Sequence, residues 1–232
     1  MHIAQSTDTG LEALRSHSML ERMNREAFDR EAVRRILCQW YHPLHYFPTF
    51  LSRHMALSPT LAAKTHVSRI VWQELGEGDP ERSHERIYVE TMSAIGFSPA
   101  EFVNTPMLGA TRSLVSAYED MSGTDYATSL GFLRATEHAD LAMVSAIGNA
   151  VRSFSGATAL PWVDIHIRQE PDHTDSVASV LAKDLSTEQT EAVVHGAERM
   201  YRLWIDFFSD IERSIGKPAM NRRLEPAQGG LA

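Results

Sequence analysis

A chain of 232 residues, 43% hydrophobic and 22% charged, is long enough to bury one large core and has an ordinary globular composition. Its net charge of −8 excludes the basic footprint of a nucleic-acid binder, and the single Cys38 excludes an intrachain disulfide or a thiolate-rich metal site. No apolar run approaches the roughly 18 residues of a membrane helix, and the start, MHIAQSTDTG, lacks the pattern of a secretion signal, so the expectation is a cytoplasmic protein without membrane contact.

Residues 1–10 read as a polar, disordered leader. From Leu11 to about Trp40 the apolar spacing is helical, through Leu14, Met19, Leu20, Met23, Phe28, Val33, Ile36 and Leu37. The stretch Tyr41-His42-Pro43-Leu44-His45-Tyr46-Phe47-Pro48 is expected to interrupt or kink it, since each proline removes a backbone donor. Phe50, Leu51 and Met55 then resume an apolar face. Ser58-Pro59 predicts the start of a helix whose stripe is Val67, Ile70, Val71 and Glu74, stopped by Gly76-Glu77-Gly78-Asp79-Pro80. The next helix, Glu81 to about Ile95, puts His84, Ile87, Tyr88, Met92 and Ile95 on one face. Shorter helices are expected from Pro99 and from Pro106 to Ala117.

A long helix follows from Tyr126 to about Phe154, with the stripe Leu130, Leu133, Glu137, Leu141, Val144 and Ile147. Next comes Leu160–Val177, in which His166, Glu170 and His173 fall on one helical face. Ser186 with Gln189 predicts a capping box opening the last helix, which buries residues from Val193 to Ile211. The tail, 216–232, reads as disordered. The sum is an all-α bundle of about seven to eight helices, a single domain over residues 11–215.

Polar groups on apolar stripes are the anomaly. Glu74, His84 and Glu137 each face a core, where a carboxylate has to be paired, neutralised or bound to a metal. Taken singly, such a Glu is more often a helix-edge residue or an arginine partner, and such a His a hydrogen-bonded core residue. Together with the His166/Glu170/His173 face they match a dinuclear iron or manganese site in a bundle interior. The doubled Glu-x-x-His signature of ferritin-like proteins is absent; Glu81-Arg82-Ser83-His84 has that spacing only once.

The whole set resembles the haem-oxygenase-like diiron oxidases and oxygenases. In that family a Glu is followed about ten residues later by a His, then by a Glu on a central helix, then by His-x-x-x-Asp-x-x-His. Glu74 and His84, Glu137, and His166/Glu170/His173 stand at those intervals, and YHPLHYFPTFL looks like the family's N-terminal region. The chain departs in carrying Glu170 where the family has Asp, and in Pro171, which should loosen the ligand helix.

The resemblance implies a haem-oxygenase-like fold, two Fe(II) ions and O₂ as cosubstrate, and the family's frequent dimers hint at a homodimer. It implies Glu74, His84 and His166 near one iron, Glu170 and His173 near the other, and Glu137 between them. All six are then the catalytic metal ligands, with Asp164, Asp172 and Asp175 as candidate partners of the histidines. The expected reaction is N-oxygenation of a small amine or amino acid in natural-product biosynthesis. Oxidative C–C cleavage or desaturation of an amino or fatty acid is the alternative, and a non-catalytic metal- or ligand-binding protein a third reading. Arg112, Arg134 and Arg168 are candidate clamps for a substrate carboxylate, and Tyr88 a candidate pocket residue. A haem oxygenase would need His42 or His45 as its proximal ligand and would leave the three glutamates unexplained.

Overall fold

The computed structural model describes residues 3–121, 125–181 and 185–216, with side chains from Thr9 onward. Among these residues the regular elements are all helical. They are α1 (Ile3–Arg15), α2 (Ser18–Arg25), α3 (Arg30–Leu57), α4 (Leu61–Glu74), a 3₁₀ turn at Pro80–Arg82, and α5 (His84–Ala94). Then follow α6 (Pro99–Asn104), α7 (Gly109–Met121), α8 (Tyr126–Ser155), α9 (Pro161–Leu181) and α10 (Thr187–Ile215). Ten α-helices among the described residues slightly exceed the expected seven to eight, because the N-terminal pattern divides into α1, α2 and α3. No described helix is long and apolar enough to cross a membrane.

Local chemistry explains most boundaries. Asp29, Thr60, Ser83 and Asp125 accept backbone N–H groups at the starts of α3, α4, α5 and α8. The Ser186/Gln189 capping box opens α10, as its sequence predicts, and Ser98/Glu101 forms another at α6. Ser58 ends α3 instead of opening α4; Thr60 takes the capping role. The polar stretch before Leu11, expected to be a disordered leader, is helical from Ile3. The expected tail, apart from Gly216, lies outside the described residues.

Neither proline-bearing stretch ends its helix. α3 runs through Pro43 and Pro48, and α9 through Pro171. Each proline deprives a carbonyl one turn back of its donor, those of Gln39, Leu44 and Ile167, yet tertiary packing on the flanking turns holds the helix together. Trp40, Leu44, Phe50 and Leu51 bury the inner face of α3, and Gln169, Glu170 and His173 that of α9.

α8 is the axis of the bundle, buried over most of its length and packed against α2, α3, α9 and α10. Its closest neighbour is α10, which it meets backbone to backbone. A Cβ on Gly131 would lie 2.1 Å from the Val193 carbonyl oxygen, and one on Gly196 2.2 Å from that of Thr128. Only glycine permits that approach. It pins α8 at one height, and so sets the position of the acidic residues roughly two turns further along.

A second buried polar cluster lies toward the start of α8. His54 is fully buried, its Nδ1 is 2.8 Å from the Ser129 hydroxyl, and its ring stacks on Tyr126 at 5.2 Å. Burial lowers its pKa from 6.5 to about 4. The unfolded chain therefore takes up this proton first, so stability is fully present above pH 6.5 and is lost as pH falls from there toward 4. The shift corresponds to about 3 kcal/mol. In urea titrations at pH 7 and pH 4, wild type should lose roughly that much relative to His54→Gln. An unchanged difference would show that His54 is solvated or paired in the acid state.

Candidate metal centre

The turn between α4 and α5 sets the first two donors. Gly76 and Gly78 have positive φ, and so does Glu77, the one non-glycine described residue that does. A Cβ on Gly76 would sit 2.1 Å from the Asp79 carbonyl oxygen, so the chain reverses here as tightly as glycine allows. Glu74, the last residue of α4, is thereby brought against His84, the first of α5, with Oε2 3.0 Å from Nδ1.

α8 and α9 supply the rest. On α9, His166, Glu170 and His173 share the buried face, as their spacing predicts. His173 Nδ1 is 3.1 Å from Glu137 Oε2 on α8, 3.8 Å from Glu170 Oε2 and 3.9 Å from Glu74 Oε1. The rings of His84 and His166 are 4.6 Å apart, those of His84 and His173 6.3 Å. All six sequence-identified residues thus converge from four helices, and Glu137, Glu170 and His173 can each offer a ligand atom within 4.8 Å of the others.

A seventh residue joins them. Asp140, one turn after Glu137, lies with Oδ2 3.9 Å from His166 Nε2, its side chain 15% exposed. The apolar spacing had favoured Leu141 for that inward position, but Leu141 is 38% exposed and Asp140 faces the centre instead. Glu74 also departs from the expected arrangement. Its two oxygens face two different histidines, His84 and His173, whereas Glu137 pairs with His173 alone.

Hydrogen bonds around the cluster orient the rings. His84 Nε2 is 2.7 Å from Gln169 Oε1, and the Gln169 amide reaches Glu77 Oε1 at 3.3 Å. His166 Nδ1 is 2.7 Å from the Trp162 carbonyl oxygen, an acceptor only, so that nitrogen carries the proton. His84 Nδ1 and His166 Nε2 are therefore the ring nitrogens turned inward, the arrangement outer partners impose on metal-binding imidazoles. Asp164, Asp172 and Asp175 are exposed and take no part.

The electrostatics are those of a site short of positive charge. Burial pushes the Asp140 carboxyl up, and the charges of Glu137 and Glu74 add to this, to about 7. Burial and the same crowd of carboxylates drive Glu170 far above the usual range. Burial alone would raise Glu74, but His84 beside it, then His173 and His166, hold it at about 2. Burial would lower His173, but Glu137, Glu74 and Asp140 lift it to about 9; His84 is raised by Glu74 in the same way. His166, pressed by burial and by His84, falls to about 3 and stays neutral. Despite these pairings, Glu137 Oε1, Asp140 Oδ2, Glu170 Oε1 and His173 Nε2 are buried without a hydrogen-bond partner. Orphaned oxygen and imidazole donors around one point fit hard or borderline metal ions, and four carboxylates match two divalent cations in charge.

A cavity opens beside the cluster, lined by Glu74, Glu137, Asp140, His166 and Glu170 on one side and by aromatic residues of α3, α7 and α10 on the other. The remaining sequence candidates lie elsewhere. Tyr88 is fully buried, its hydroxyl donates to the Leu37 carbonyl at 2.7 Å, and its ring packs edge-on against Trp162. Arg112 is exposed, Arg134 is held against His138 at 2.9 Å, and Arg168 lines a separate surface groove beside Arg82. His42 bonds the Thr105 carbonyl and His45 the Glu85 carboxylate, so neither faces the cavity.

The solved structures that this chain resembles share its fold at low sequence identity. A CADD-like protein of unknown function from Nostoc punctiforme superposes with a TM-score of 0.77 at 13% identity, over 92% of this chain and 98% of that one. A domain of unknown function with a haem oxygenase-like fold from Shewanella denitrificans gives 0.72 at 16% identity, over 91% and 89%. A putative TenA-like thiaminase from Sulfolobus solfataricus gives 0.66 at 12% identity, over 91% and 94%. No curated protein matches the sequence. Residues 34–205, which contain all seven converging side chains, match a family described as iron-containing redox enzyme, and the chain belongs to that family.

Proposed function

We propose that the chain holds two iron ions among these residues and uses O₂ to oxidise a small molecule. The observation that carries this reading is the convergence of four carboxylates and three imidazoles, several of their donor atoms buried and unpartnered, from four separate helices. Metal-free acid–base catalysis needs one acid and one base, and would leave most of these donors without a role. Two ferrous ions held here would supply electrons for the reduction of O₂.

In this reading Glu74, whose oxygens face His84 and His173, would help to hold both ions, His84, His166 and Asp140 would hold one, and Glu137, Glu170 and His173 the other. Gln169 and the Trp162 carbonyl hold their histidines with one ring nitrogen inward. The aromatic wall keeps bulk water from the reacting atoms. N-oxygenation of a small amine is the reaction we place first. Among the described residues no Lys or Arg lines the cavity, so a free carboxylate finds no counter-ion of the protein's own, whereas an amine bound as the neutral base needs none. C–C cleavage or desaturation of an amino or fatty acid comes second for the same reason.

The test is anaerobic titration with Fe(II) followed by rapid mixing with O₂, with and without candidate amines. Uptake of two irons per chain and O₂ consumption accelerated by an amine is the expected result. Full turnover by metal-stripped protein would overturn it, as would tight iron binding with no O₂ consumption.

A further inference from the structure

The two sides of the cavity are chemically unlike. α4, α8 and α9 present the donor cluster; α3 and α10 present Trp40 and Trp204, stacked with ring centroids 5.4 Å apart. Both indoles line the cavity, at 4% and 2% exposure, and in both the Nε1–H is buried with no acceptor. An indole nitrogen can only donate. Two buried donors left unpaired carry their full desolvation cost, and native structures rarely tolerate that without a partner supplied from elsewhere. Here the missing partner would be an oxygen of the bound molecule.

The surroundings limit what that oxygen belongs to. No Lys or Arg among the described residues lines the cavity, and Pro43, Leu44 and Phe47 flank the indoles. A carboxylate buried there without a cation would cost far more than an uncharged carbonyl. The space is also narrow. The centre of a water-sized sphere can occupy only about 30 Å³ of it.

We propose that the substrate is a slim, mainly apolar molecule whose end remote from the carboxylates carries an uncharged oxygen acceptor, such as an amide or ester carbonyl, received by the Nε1–H groups of Trp40 and Trp204. The oxidisable atom then sits at the opposite end, beside Glu137, Asp140 and Glu170. This assignment rests on reading the donor cluster as the reaction centre. It excludes free fatty acids and amino acids bound by their carboxylate at the indole end.

Three ligands of one shape separate the possibilities: 3-phenylpropanamide, 3-phenylpropanoate and butylbenzene. Binding is measured by calorimetry on iron-loaded protein without O₂, so that no turnover intervenes, and iron content is determined on the same samples. The amide should bind about fivefold or more tightly than either of the others, the gain expected of one or two neutral hydrogen bonds. The double variant Trp40→Phe/Trp204→Phe should lose that advantage while still binding butylbenzene, which also reports that its cavity is intact. Strongest binding by 3-phenylpropanoate overturns the proposal, as does an amide preference that survives in the double variant, or no binding of any of the three. A protein that prefers the amide in this indole-dependent way but takes up no iron would overturn the proposed function and leave this assignment standing.

Discussion

Glu74→Ala should weaken both metal ions together, by more than about a hundredfold, beyond the usual cost of losing even an outer partner of a metal ligand. The reason is the orientation of its carboxylate, one oxygen toward His84 and the other toward His173. Asp140→Asn, by contrast, should weaken one ion only, since Asp140 stands against His166 alone among the histidines within ion-pair distance. Iron or cobalt stoichiometry, measured by elemental analysis after equilibrium dialysis, distinguishes these outcomes. One ion retained at full affinity in Glu74→Ala would mean that Glu74 serves a single metal and that Glu137 spans the pair. Unchanged binding of both ions in Asp140→Asn would remove Asp140 from the site.

Loading should also be tied to protons. His173, raised to about 9, and Asp140, raised to about 7, hold protons at neutral pH where a metal ion would otherwise sit. Metal must displace them, so affinity should fall as the pH is lowered and protons should be released on binding. By the same charge shortage, these helices should gain stability when metal binds. A bundle that buries several carboxylates around a cavity is strained electrostatically until cations arrive.

How much of this was legible in the sequence depends on the kind of signal. Glu74, His84 and Glu137 stood out because each broke an apolar stripe, and the three α9 residues because their spacing fixes a common face. Asp140 escaped for the opposite reason. Leu141 next to it satisfied the apolar spacing, and a helix rotated by one residue places the leucine inside and the aspartate out; the bundle chose otherwise. Asp140 three residues after Glu137 was the available clue, since i and i+3 share a face. The three arginines were misleading because charge suggests a role without giving a direction. Nothing in local sequence tells that Arg134 folds back on His138 or that Arg168 turns to the surface. The prolines of α3 and α9 do not end their helices because helix integrity in a bundle is decided by burial on either side of the missing hydrogen bond. Trp40 and Trp204, 164 positions apart, meet only through the packing of α3 on α10, a contact that periodicity cannot reveal.

Gly131→Ala should lower the melting temperature more than any conservative surface change. The added Cβ would stand 2.1 Å from the Val193 carbonyl oxygen and close to the backbone nitrogen of Ala197, so the strain falls on backbone and no flexible side chain can relieve it. α8 and α10 must separate. Overpacking of this kind costs roughly 1–3 kcal/mol, or about 2–12 °C in a chain of this size at a few degrees per kcal/mol. Alanine's better helix propensity returns about 1 kcal/mol at most. Gly109→Ala is the control, since its new Cβ would meet nothing nearer than an Asp210 carboxylate oxygen at 3.7 Å. That variant should melt at or slightly above the wild-type temperature. Because Glu137 and Asp140 ride on α8, less than three turns beyond Gly131, the displacement should also loosen both ions of the proposed pair, which dialysis against chelator would show as faster loss of metal. Equal melting temperatures for the two variants would mean that α8 and α10 slide apart without cost, and that the height of the acidic pair is set by α9 instead.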